Sequence, residues 1–181
     1  PEDACTMEYR ILTTPHLDLV PATLDLLTLE LWDLEQLGIE LAAIVPPSWP
    51  PEGITAEVLQ HHILFATSPE PLIWDFLWIL RGTMPDERRV LIGTGGFTRQ
   101  DATLVLGYAV LPEYRGLGYG TEAVHALTEW AFRDPEVEQV EAITYAHLTA
   151  SVRVLEKNGF LPSGKGEAEG SLRFLRRRES S

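Results

Sequence analysis

The stretch from Thr103 to Ala131 constrains this chain more than any other. It holds an apolar, β-branched run (T-L-V-L-G-Y-A-V-L), a proline at 112, glycines at 116, 118 and 120, and then a helical pattern. The first run reads as a buried strand stopped by proline. Ala123, Val124, Leu127, Trp130 and Ala131 follow the i, i+3, i+4 spacing of an amphipathic helix, which Asp134-Pro135 ends. The glycines therefore sit where a strand becomes a helix. There the first-turn N–H groups lack intrahelical partners, and the helix dipole adds about half a positive charge, so a phosphate can collect several hydrogen bonds. Glycines let the ligand approach the backbone closely, and Arg115 adds a charge-assisted contact.

Two common phosphate loops do not fit. The chain has no Gly, four residues, Gly-Lys and Ser or Thr, which removes the P-loop NTPases. The dinucleotide fingerprint needs G-x-G-x-x-G after an early strand, with an acidic strand end about 20 residues on. Here the spacing is G-x-G-x-G, late in the chain, with no such strand after it.

Arg115-Gly116-Leu117-Gly118-Tyr119-Gly120 resembles the acetyl-coenzyme A signature of the GNAT superfamily of N-acetyltransferases: Gln or Arg, two residues, Gly, one residue, Gly or Ala. A second block, S-V-R-V-L-E-K-N-G-F from Ser151 to Phe160, resembles the helix and strand that close the coenzyme site in the ribosomal-protein-alanine acetyltransferase branch. The resemblance is specific over Val90 to Phe160. Over the first 80 residues it is loose, with Thr14 to Pro21 similar to the branch's first strand.

The resemblance implies an α+β fold: a mixed, mostly antiparallel twisted sheet flanked by helices, with a strand-loop-helix acetyl-CoA site. It implies acetyl transfer from acetyl-CoA to a primary amine, of a protein N-terminus or a small molecule, directly in a ternary complex. A degenerate domain that binds acyl-CoA as a sensor or scaffold is the alternative. By the same resemblance Ala109, Val110 and Leu111 meet pantetheine through main chain, a backbone N–H near Val110 polarises the acyl carbonyl, and Arg115, Gly116, Leu117, Gly118, Tyr119, Gly120 and Thr121 hold the phosphates. Ser151 is the hydroxyl implied near the coenzyme sulfur, with Tyr145 and Tyr119 as weaker candidates.

The chain departs from the family at three positions. Leu155 stands where many members have the Tyr that protonates the thiolate, Leu148 where the branch has Asn, and Val105 where it has Glu. No Asp or Glu occurs between Val90 and Gln100, so a general base falls to His147, Asp101, Asp75, the His61-His62 pair, or water. The resemblance leaves a homodimer open, and no metal is implied.

Charge bears on the acceptor. Residues 1–80 hold 13 acidic side chains and one basic one, Arg10, for −12 of the formal −13. That field disfavours nucleic acid and anionic membranes and favours cationic partners. Cys5 is the only cysteine, which excludes an intrachain disulfide and fits a reduced, cytoplasmic chain. No window reaches ~18 apolar residues, so no membrane span is expected.

With 181 residues the expectation is one domain over 1–181, with 1–6 a tag remnant or extension and 177–181 a disordered tail. Helices are expected at Leu24–Leu34, Leu37–Val45 (separated near Gly38) and Thr55–Ala66, with a Pro-rich connector at 46–51. Strands follow at Leu72–Leu80 and Val90–Phe97, then a polar turn at Thr98–Ala102. A strand at Val140–Tyr145, a helix at Ala150–Asn158 capped by Gly159, and a strand at Leu172–Arg176 complete the reading. Trp74 and Trp78 share one strand face.

Overall fold

Two apolar runs, I-W-D-F-L-W-I-L and V-L-I-G-T-G-G-F, are too hydrophobic to leave either face of a strand in water, and they form the middle of the sheet. The protein is described by a computed structural model over residues 8–70, 72–84 and 86–180. Its strands are β1 (Leu12–Thr13), β2 (Leu17–Pro21), β3 (Ile73–Leu80), β4 (Val90–Gln100), β5 (Thr103–Val110), β6 (Gln139–Tyr145), β7 (Leu161–Lys165) and β8 (Ser171–Arg177). They form one sheet in the order β1-β2-β3-β4-β5-β6-β8-β7. Every pairing is antiparallel except β5 with β6. Cys5 and residues 1–6 lie outside the described residues.

The helices are α1 (Leu24–Trp32), α2 (Leu34–Leu41), α3 (Ala56–Ala66), α4 (Tyr119–Ala131) and α5 (Thr149–Lys157). Alternation along β3 separates two cores. Phe76 and Trp78 face Ala123, Val124, Leu127 and Trp130 of α4 and Leu155 of α5. Leu77 and Ile79 face Leu27 of α1, Leu37 and Leu41 of α2, and Leu59 of α3. Trp130 is buried, stacked on Phe97 and edge-on to Phe76, and full burial of side chains this size contributes roughly 1.5–3 kcal/mol each.

Several expected boundaries move. The first two helices separate at Asp33, which ends α1 and caps α2 through Gln36 N–H, while Gly38 lies inside α2. The Asp side chain competes for backbone N–H groups and so outweighs an isolated glycine as a break. β4 runs on through Gln100, and the turn is confined to Asp101-Ala102, with Asp101 at φ 54. β7 follows the block whose resemblance implied a strand after the helix, but its five residues are all exposed, so it carries no alternating pattern of its own to read. β8 includes Arg177, and Arg178 donates its backbone N–H to Glu138 O and its Nε–H to Val137 O, so ordered strand contacts run into the stretch expected as a tail.

Candidate functional site

The sheet opens between β5 and β6. Thr103 to Leu106 pair with Gln139 to Ala142, but from Gly107 onward β5 pairs with β4 alone and β6 beyond Ala142 pairs with β8 alone. Leu111 donates its N–H to Ile92 O on the β4 side. Alternation therefore turns the N–H groups of Tyr108 and Val110 towards the opening. That edge is an unpaired strand edge, able to pair with an extended ligand.

At the mouth of the opening stands the glycine loop. A 3-10 turn, Pro112–Tyr114, leads into Gly116 (φ 74) and Gly118 (φ 88), and Gly118 is the residue before α4. Both positive φ values favour glycine, and a Cβ at either position meets nothing within 4 Å, so the space beside them is open. Gly120 lies closer in, where a Cβ comes 3.5 Å from Val154. Arg115 donates Nε–H to Val110 O (2.9 Å) and so clamps the loop onto the strand end.

The helix caps divide the same way. α1, α2 and α3 are each capped by a side chain, from Thr23, Asp33 and Thr55. α4 and α5, which flank the opening, begin at Gly118 and Leu148 with no side-chain cap. Their first-turn N–H groups are left for another acceptor. Glu122 in the first turn of α4 is turned aside: it accepts from Thr14 Oγ1 (2.6 Å), His16 N–H (2.9 Å) and His16 Nδ1 (2.7 Å). Partial burial opposes its charge, but those hydrogen bonds hold its carboxyl below the usual range.

Ser151 of α5 sits in a chain of hydroxyls that bridges the opening. Its Oγ accepts from Thr144 Oγ1 of β6 (3.0 Å) and lies 3.1 Å from the Tyr108 hydroxyl of β5. Burial raises the Tyr108 phenol, outweighing the Ser151 hydrogen bond, so it stays protonated through the neutral range. Trp78 stacks on the Tyr108 ring at 6.0 Å and fixes its position. Tyr145 and His147 do not join this chain. Tyr145 alternates to the other face of β6 from Thr144, and His147 is exposed in the following turn, its ring 5.7 Å from that of Tyr145.

Sequence reasoning missed Tyr108 and Thr144 as partners of Ser151, because two strands and a helix meet there by register. It also missed Glu30, buried on α1 beside Asp75 and His62. The i, i+3 spacing of Leu27 and Glu30 carried that signal, since it places both on one helix face.

A splayed strand edge leading to a phosphate-ready helix defines the class of acyltransferases that draw an extended coenzyme into the sheet. The family described as acetyltransferase (GNAT) domain matches residues 23–161, and the chain belongs to it. No curated protein sequence matches. Among solved structures it is similar to the ribosomal L7/L12 alpha-N-protein acetyltransferase RimL in complex with coenzyme A, at 17% identity, covering 93% of this chain and 98% of that one, TM-score 0.64. The ribosomal-protein-S5-alanine acetyltransferase of Vibrio fischeri matches at 19% identity, covering 92% and 96%, TM-score 0.62. Aminoglycoside acetyltransferase AAC(6')-Ib with coenzyme A matches at 18%, covering 90% and 95%, TM-score 0.60. At these identities the likeness is one of fold.

Proposed function

We propose that the protein transfers the acetyl group of acetyl-CoA to a primary amine by direct attack in a ternary complex. The observation that carries this reading is the unpaired β5 edge, with the Val110 N–H turned into the opening beside the uncapped start of α4. The coenzyme supplies the activated thioester. Main-chain groups of Tyr108 and Val110 align its pantetheine, Gly116 to Thr121 receive its diphosphate with the Arg115 terminal nitrogens alongside, and the Val110 N–H polarises the acyl carbonyl.

The amine nitrogen bonds to the carbonyl carbon, the C–S bond breaks, and the thiolate takes a proton. Ser151, held between Tyr108 and Thr144, is the donor, replenished from the Tyr108 hydroxyl. No carboxylate replaces Val105, so water in the open seam receives the ammonium proton and returns one to the Tyr108 hydroxyl, which closes the cycle. Coenzyme A complexes of the RimL and aminoglycoside enzymes support the coenzyme assignment.

Calorimetric titration with acetyl-CoA tests the donor half, and thiol release with a panel of amines tests the transfer. Micromolar binding with amine-dependent thiol release is expected. Binding without release from any amine would overturn transfer in favour of a coenzyme-binding scaffold.

A further inference from the structure

On the face of the sheet away from Ser151, α1, α3 and the Pro-rich connector close over a polar cluster. Glu30 is 6% exposed and Trp49 5% exposed, yet Glu30 Oε1 and Trp49 Nε1 have no hydrogen-bond partner among the described residues. The indole N–H favours the charged form of Glu30 without closing a bond to Oε1. His62 Nδ1 lies 3.3 Å from Asp75 Oδ2, out of line for a hydrogen bond, and the Tyr9 hydroxyl donates to the Asp75 carbonyl. Burial and then the charge of Asp75 push Glu30 up to about 8, with Trp49 and His62 opposing. His62 is raised by Asp75 against its burial.

An unsatisfied buried carboxylate oxygen costs on the order of 1–3 kcal/mol. A cation with several N–H donors would satisfy it and remove the repulsion between the two acids. A compact metal ion fits less well, since among the described residues no three His, Cys, Asp or Glu side chains converge to hold one.

The register connects this cluster to the open seam. Asp75 pairs with Gly96, and Gly96 with Gly107, so no side chain intervenes between Asp75 and the free edge of β5. A Cβ at Gly96 would collide with the Trp74 carbonyl, whereas one at Gly107 would meet nothing within 4 Å. Two strand spacings separate Asp75 from Gly107, about 10 Å, and the thioester lies a further ~5 Å out. That exceeds the ~3 Å reach of a general base. The cluster is therefore too far to deprotonate the attacking nitrogen, but well placed to hold the far end of its molecule.

We propose that Glu30 and Asp75, beside His62, bind a second cationic group of the acceptor, which is thus a primary amine bearing another ammonium or guanidinium roughly 10–15 Å away. This rests on the acetyl-transfer reading above. It makes the buried acids a specificity device: an acceptor with one positive charge fills the seam and leaves Glu30 unsatisfied. Entry of the cation ionises Glu30, and its proton passes to solvent.

The test is calorimetric titration of the coenzyme A-loaded protein with octamethylenediamine and with octylamine, in two buffers of different ionisation enthalpy. The diamine is expected to bind at least ~10-fold tighter, which is about 1.4 kcal/mol, with proton release near pH 7. Glu30→Gln should abolish the proton release, and Glu30→Gln or Asp75→Asn should cut the diamine-to-monoamine ratio towards one. Equal affinities in the unmodified protein, or a preference that survives both substitutions, would overturn the proposal. Failure to bind coenzyme A would instead overturn the transfer reading, and the same pair of amines titrated into the coenzyme-free protein then decides the cluster.

Discussion

The two faces of the sheet solve opposite problems. On the α4/α5 face, apart from the unpaired Trp78 indole, the polar groups around the opening are backbone or paired hydroxyls: uncapped N–H groups, the Val110 edge, and the Tyr108–Ser151–Thr144 chain. On the α1–α3 face the helices are capped, but one acid, Glu30, is buried with an oxygen unpartnered, next to the unpaired Trp49 indole and His62 Nδ1 and the charge of Asp75. Main-chain donors suit a ligand whose chemistry never varies, as the proposed acetyl donor is. Buried charges suit an acceptor that must be told from others, because leaving them unpaired penalises the wrong ligand.

The comparison first requires that the donor face be a rigid platform. Trp130→Ala removes a side chain 1% exposed, in contact with Phe76 and Phe97, and should cost ~3–5 kcal/mol in denaturant unfolding. Leu64→Ala on α3, where Leu64 is 67% exposed, should stay within about 0.5 kcal/mol. Similar losses for both would mean that the packing around α4 does not hold the site.

Next comes the cradle itself. Gly118→Glu puts a carboxylate into open space at φ 88, where the diphosphate would sit. Acetyl-CoA affinity should fall ~100-fold or more, about 2.7 kcal/mol, with the strain of a non-glycine αL residue costing ~1–2 kcal/mol of stability. Unchanged affinity by calorimetry would detach coenzyme binding from the α4 terminus.

These two features differ in how far they could be read from the chain. The strand, glycine loop and α4 are local: one apolar run, one proline, and one i, i+3, i+4 stripe specify them, and the motif needs only backbone. Ser151 could be singled out by resemblance, but its partners depend on the β5–β6 register and the placement of α5. Tyr145 and His147, near it in the chain, fall away from it: strand alternation turns Tyr145 to the other face of β6, and His147 lies exposed in the turn that follows. Asp75 and His62 were visible as candidates, whereas Glu30 looked like one more acid in a strongly acidic half. Its i, i+3 spacing from Leu27 put it on the apolar face of the helix, and the packing of α1 against α3 is what buries that carboxylate.

The hydroxyl chain offers a finer test. Ser151→Ala removes the proposed proton donor and should lower kcat about tenfold, ~1.4 kcal/mol, with the KM for acetyl-CoA little changed. Tyr108→Phe should act through Ser151, lowering kcat less and leaving coenzyme binding intact. If Tyr108→Phe reduced kcat more than Ser151→Ala, the phenol itself would be the acid, reaching the thiolate directly.

The smallest effect concerns the α1–α3 face, and pH reads it. The folded protein retains the Glu30 proton between the ordinary value of 4.5 and about 8, where the unfolded chain has already lost it. The folded state then binds more protons, so stability falls as pH rises through that window. Asp75 and His62 face Glu30 and share in this dependence: Asp75 raises the carboxyl and His62 lowers it. Glu30→Gln is neutral throughout and should flatten the slope measured by denaturant midpoints from pH 5 to 8, while Glu35→Gln, exposed in the first turn of α2, should leave it as it was. Parallel curves for Glu30→Gln and the unmodified protein would mean that Glu30 is ionised and paired in the fold, and the two faces would then differ in their helices but not in their chemistry.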